Sequence, residues 1–138
     1  MSETKSATVR PAAAVPATEI KAGTDAAVQV LVGPQQGDTS FVLRRFTFGI
    51  GGGMPMHTNL VEHQQYVLRG RARITIGDQV HEVGADDTLF IPALMPHGYE
   101  VVDGPFEGHD PVRDRGVDAL FRHEDVPLEC RSHGPSDV

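Results

Sequence analysis

Between Ala26 and Glu107 the chain alternates short β-rich runs with turn residues, and this rhythm limits the fold more than any other feature. The runs are AAVQVLV (26–32), FVLRRFTF (41–48), QQYVLR (64–69), ARITI (72–76), QVHEV (79–83), TLFIP (88–92) and GYEVV (98–102). Branched and aromatic residues fit a pleated, half-buried surface. Runs of this length, separated by turn signals every eight to twelve residues or so, are the pattern of a sandwich or barrel. Gly33-Pro34, Gly51-Gly52-Gly53, Gly77-Asp78 and Asp103-Gly104 supply the turn chemistry. Ala72, Ile74 and Ile76 alternate with Arg73 and Thr75, so one face is expected to be buried and the other polar. Gly77-Asp78 then predicts a tight hairpin. No stretch here holds a helical period, which argues against parallel βαβ architectures. The expected class is all-β.

The flanks differ from this centre. Residues 1–24 are rich in Ala, Thr and Pro without a hydrophobic period, and are expected to form a disordered N-terminal arm. In residues 108–138, Gly108, Asp110-Pro111 and Gly116 are expected to break any strand. Val117, Leu120 and Phe121 have the spacing of one short helix that Pro127 would end. The expected organisation is therefore an arm (1–24), a barrel (25–107) and an irregular tail (108–138).

Composition narrows the function. The 138 residues suit one domain, and a net charge of −7 argues against nucleic acid as a partner, because phosphate binding needs a basic face. The single cysteine, Cys130, rules out an internal disulfide. No run approaches the roughly 20 apolar residues of a membrane span, and the first residues lack the apolar stretch of a secretion signal. A cytoplasmic location without membrane attachment is the expectation.

Three histidines stand near strand ends or turns: His57, His63 and His97. They can converge if their strands are neighbours in a closed barrel. His57 and Asn59 share one strand face, and a turn at Leu60-Val61 would present His63 from alongside. Imidazole suits Zn, Cu, Fe and Ni.

The spacing around these residues resembles the cupin family. The first cupin motif, G-x5-H-x-H-x3-4-E-x6-G, is met here as Gly51-x5-His57-x-Asn59-x3-His63-x6-Gly70. The second, G-x5-P-x-G-x2-H-x3-N, is met as Asp86-x5-Pro92-x-Leu94-x2-His97-x3-Val101. Spacing is kept throughout. The residues depart at Asn59 (usually His), His63 (usually Glu or Gln), Asp86 and Leu94 (usually Gly) and Val101 (often Asn).

The resemblance implies a small cupin barrel, a double-stranded β-helix of jelly-roll type, covering residues 26–107. It implies one divalent ion (Mn, Fe, Ni or Zn) on His57, His63 and His97, with Asn59 as a weak fourth ligand or a partner of bound water. It also implies a homodimer and a small-molecule ligand or substrate. With His63 in place of a carboxylate the ligands are neutral, so the ion keeps its full charge, which favours Lewis-acid work. The expected function is a metal-dependent dioxygenase, lyase or isomerase, the alternative being a binding or sensing module without turnover. A metal-free sugar-modifying cupin would need a His–Asp pair, and none is evident in the sequence.

Several neighbours of the motifs are expected in the pocket. Gln65 and Val67 share the strand parity of His63, and Tyr99 shares that of His97 and offers a catalytic hydroxyl. Met56 and Met95 would form an apolar, substrate-facing mouth. Glu62 should face away from His63. Of Arg44 and Arg45 one must point inward, where it could hold a substrate carboxylate, although an Arg reaching water at the barrel end is the preferred reading. His81 is expected at the surface, and His109, His123, His133 and Cys130 carry no motif.

Overall fold

In a computed structural model of the protein, residues 7–37 and 39–113 are described. Seven strands follow in order: β1 (Thr18–Glu19), β2 (Thr24–Val32), β3 (Phe41–His57), β4 (His63–Ile76), β5 (Gln79–Gly84), β6 (Thr88–Ile91) and β7 (His97–Arg113). They form one antiparallel sheet, ordered β1-β2-β3-β7-β4-β5, with β6 on β4. Each run found in the sequence lies in a strand, apart from Pro92, one residue past β6. The Gly77-Asp78 hairpin is present, with Ile76 opposite Gln79 and Gly77 at φ +64°.

The strands are longer than the runs, because two of the expected turns are irregularities inside continuous strands. Gly51 and Gly53 lie within β3, at φ +76° and +156°, where the pairing with β7 shifts register between Phe48 and Gly53. Asp103-Gly104 lies inside β7, opposite the register shifts of β4 around Arg69–Ala72. The runs 64–69 and 72–76 are one strand, joined through Gly70 at φ +84°. A Cβ at Gly70 would lie 2.3 Å from the carbonyl oxygen of Pro105, so β4 and β7 can approach here only at glycine. These bulges bend β3, β4 and β7 enough to roll the sheet around a core.

The core follows strand parity. Phe46 and Phe48 of β3 meet Phe106 and Tyr99 of β7, with Phe46 and Phe48 ring centroids 5.4 Å apart and Phe48 and Tyr99 5.2 Å apart. Val67, Ala72 and Ile74 of β4 complete the cluster. On the opposite face Arg71 pairs with Glu82 and Arg73 with Glu100, both exposed.

Both expected boundaries move. β7 does not stop at Glu107 but runs to Arg113, with Gly108, Asp110 and Val112 buried. Gly108 does not break the strand; its missing side chain leaves room for Phe46, whose Cζ would lie 2.6 Å from a Cβ there. Pro111 lies past the last β4 partner, where β7 has only β3 alongside, a position that tolerates a residue without an N–H.

At the other end, the segment expected as a disordered arm lies against the sheet from Arg10, whose guanidinium donates to the carbonyl of Leu31. Gln29 donates to the carbonyls of Ala12 and Val15, β1 pairs with β2, and Val15 is buried. The expected helix around 117–121, and His123, Cys130 and His133, lie outside the described residues. Among those described, no helix is long and apolar enough to cross a membrane.

Candidate active site in the barrel

The three motif histidines converge because β3 and β7 place His57 directly opposite His97, while β4 begins with His63. The ring centroids of His57 and His97 are 4.3 Å apart, and those of His63 and His97 are 5.6 Å apart. All three rings are buried. They line one pocket with Asn59, Gln65, Tyr99, Arg44 and Asp110, whose apolar wall is Ile20, Val28, Phe46, Phe48 and Met54. Its free volume of about 50 Å³ suits an ion or a few waters.

Each histidine gives Nδ1 to an acceptor. His57 Nδ1 lies 2.8 Å from the carbonyl of Pro55, and His97 Nδ1 lies 2.9 Å from that of Met95. His63 Nδ1 lies 3.0 Å from both carboxylate oxygens of Asp110. A carbonyl or carboxylate only accepts, so each Nδ1 carries a proton, and a ring that is neutral then has its lone pair on Nε2. Burial, reinforced by the nearby His57 and His63, lowers the His97 pKa to about 3 and keeps this ring neutral. Burial alone would raise the Asp110 pKa, but His63 and the ion-paired Arg44 outweigh it and bring the carboxylate down to about 2.

The expected ligands thus share a pocket, but they do not form a ready-made metal cage. Among the described residues, no three of His, Cys, Asp and Glu stand close enough to hold an ion. At His63, Oδ1 of Asn59 lies 2.8 Å from Nε2, the atom a metal would use. Nδ2 of Asn59 is buried without a hydrogen-bond partner among the described residues. A proton on Nε2 donating to Oδ1, a turned amide donating from Nδ2, or a cation held by both atoms satisfies that contact.

Other expected residues separate clearly. Gln65 and Tyr99 are in the pocket and joined, Gln65 Nε2 donating to the Tyr99 hydroxyl at 2.7 Å. Val67 is fully buried in the aromatic core and does not line the pocket. Met56 does not line it either. The register shift between Met54 and His57 breaks the alternation, so Met54 and His57, three residues apart, both face inward. Met95 lies in the turn before β7, with its sulfur near Gly77. Glu62 is exposed and accepts from Gln64, away from the pocket.

Two site residues were missed. Arg44, expected to reach water, is buried and ion-paired with Asp110. Its alternation with Val42, Phe46 and Phe48 was the available signal. Asp110 fell in the expected tail, and only the continued parity of Phe106, Gly108 and Val112 could have marked it. It also supplies the His–Asp pair that the sequence did not reveal.

Comparisons with known proteins agree with this architecture. Residues 44–107 match the model of the Cupin domain family. The polyketide cyclase RemF from Streptomyces resistomycificus superposes with a TM-score of 0.71 at 23% identity, over 88% of this chain and 95% of that one. A cupin-2 domain protein from Rhodospirillum rubrum gives 0.64 at 23% identity, over 83% and 80%. An RmlC-like cupin from Shewanella frigidimarina gives 0.67 at 17%, over 80% and 94%. At these identities the likeness establishes the fold. A search of curated proteins found no match.

Proposed function

The protein carries a cupin domain, and on that premise we propose that it binds one divalent ion, Mn, Fe, Ni or Zn, through Nε2 of His57, His63 and His97 and acts on a small organic molecule. The observation that carries this reading is the shared state of the three rings, each with its Nδ1 proton committed to a fixed acceptor. Histidine ligands characteristically donate the other ring N–H to a carbonyl or carboxylate. A neutral His97 suits the role, because a protonated imidazole cannot ligate. Asn59 joins the set through Oδ1 or hydrogen-bonds a bound water.

A bound ion would supply Lewis acidity, polarising a carbonyl or acidifying water, or an oxygen-activating centre. The chain's own residues do the rest. Phe46, Phe48, Met54, Val28 and Ile20 present an apolar wall beside the histidines, and the free volume of about 50 Å³ admits only a small reacting group next to the ion. The Gln65–Tyr99 pair places a polar group across from the histidines, where it can orient an oxygen and pass a proton. One structural neighbour is a polyketide cyclase, and a lyase, cyclase or isomerase reaction is in keeping with a Lewis-acid ion.

A second reading draws on the His63–Asp110 pair, which could move a proton without metal. Metal analysis separates the two. Purified protein reconstituted with Mn, Fe, Ni and Zn should retain about one ion per chain, and the His57→Ala/His97→Ala variant should retain none. Failure to retain any of the four ions would overturn the metal reading and leave the proton-transfer pair or ligand binding without turnover.

A further inference from the structure

We infer that Ile20 is the specificity-determining gate of the histidine pocket. Its side chain, held by the N-terminal segment where the pocket meets solvent, sets the size of molecule that reaches His57, His63 and His97. The geometry of the gate stands without a metal; that the molecule it selects is a substrate rests on the function proposed above.

The barrel strands close the pocket almost all the way round. Among the described residues, every residue that lines it is buried except Ile20, which is half-buried. The path from solvent therefore runs beside Ile20. This residue also differs in origin. The rest of the lining comes from β2, β3, β4, β7 and the turn at Asn59, whereas Ile20 follows β1. It lies outside residues 44–107, the stretch matched by the family model.

A gate selects by size only if it is held in place, and Ile20 is fastened on both sides. Before it, Thr18 and Glu19 pair with Val28 and Ala27, and Gln29 holds the carbonyls of Ala12 and Val15. At Ile20 itself the N–H donates to the carbonyl of Ala26 at 2.8 Å, and the carbonyl accepts from the N–H of Gly23 at 3.1 Å. This turn rests directly on β3. A Cβ at Gly23 would lie 2.6 Å from the sulfur of Met54 and 2.8 Å from the carbonyl oxygen of Gly53, so the close approach needs glycine. The Ile20 side chain packs on the aromatic cluster. Behind it the free volume is about 50 Å³. Gate and volume together select a molecule that presents one small group to the histidines while its bulk stays outside, beside Ile20.

The experiment measures how fast diethyl pyrocarbonate acylates the pocket histidines of metal-free protein. Peptide mass spectrometry reads each histidine, with the exposed His81 as internal standard. Ile20 is uncharged, so replacing it changes access to the imidazoles. Relative to His81, Ile20→Ala should acylate several-fold faster at His57 and His97, and Ile20→Trp several-fold slower. Thr18→Ala, on the exposed strand just before the gate, should match the unaltered protein. Thermal melts establish that each variant is folded. Equal rates throughout would overturn the proposal. So would acceleration in both Ile20 variants, which would mean that the segment loosens and the side chain does not gate. On Co(II)-loaded protein, azide should perturb the visible absorption of the unaltered protein and of Ile20→Ala alike, whereas imidazole should bind Ile20→Ala tighter by roughly tenfold or more. Unchanged imidazole affinity would overturn the selection by size. Gated acylation in a protein that takes up no Co(II) would uphold the gate and remove the metal reading.

Discussion

Replacing Arg44 by Met tests how much of the barrel's stability rests on the buried Arg44–Asp110 pair. Both residues are nearly inaccessible, at 3% and 4% exposure. Met keeps much of the side-chain length but removes the cation, leaving a carboxylate with His63 as its remaining partner. Breaking a buried pair from one side costs about 3–5 kcal/mol. His63 retains part of the stabilisation, so a loss of about 3 kcal/mol is expected. With ~2.1 cal/mol/K per residue over 138 residues, the unfolding entropy is ~0.3 kcal/mol/K, which converts that loss to a Tm drop of about 10 °C. The assay is urea and thermal unfolding of chelated protein near neutral pH, so that ligand linkage does not enter. Arg69→Met is the control. Arg69 is 60% exposed in its pair with Glu107, and its loss should cost no more than about 1 kcal/mol. The double change Arg44→Met/Asp110→Leu should recover most of the loss by removing the orphaned charge. A single-variant loss below about 1 kcal/mol would refute the reasoning, since it would mean the carboxylate is solvated or neutral without Arg44.

Acid should weaken the metal-free fold through His97. Because its pKa falls to about 3, the unfolded chain binds the proton first, so stability present above pH 6.5 is lost as pH drops toward 3. The slope is up to about 1.4 kcal/mol per pH unit, and urea midpoints at pH ~7.5 and ~4.5 that coincide after His97→Gln would confirm the source. Gly70→Ala should destabilise by at least about 2 kcal/mol, because φ is +84° and the new Cβ meets the Pro105 oxygen at 2.3 Å. Gly84→Ala, whose Cβ would lie 3.4 Å from the Arg71 side chain, should stay within about 0.5 kcal/mol in the same melts. Asn59→His restores the commoner family residue beside His63 and should tighten Co(II) binding by roughly tenfold or more; an unchanged titration would place residue 59 outside the ligand set.

Sequence alone determined the elements and the metal candidates. Period-two alternation along Ala72–Ile76 and the apolar runs report burial residue by residue, so they identify strands without knowledge of partners. His57, His63 and His97 were legible because motif spacing encodes positions on neighbouring strands. What sequence could not supply was register. Gly51–Gly53 and Asp103-Gly104 read as turns because glycine marks both turns and bulges, and only cross-strand pairing tells which. One such shift sends Met54 inward and Met56 away, which undid the expected mouth. The same limit hid Asp110. Gly108 and Pro111 look like strand breakers locally, yet Gly108 packs under Phe46 and Pro111 lies where β7 has one partner. Arg44 and Asp110, 66 positions apart, become a buried pair only because β3 and β7 align them, and that contact exists in no local stretch of the chain.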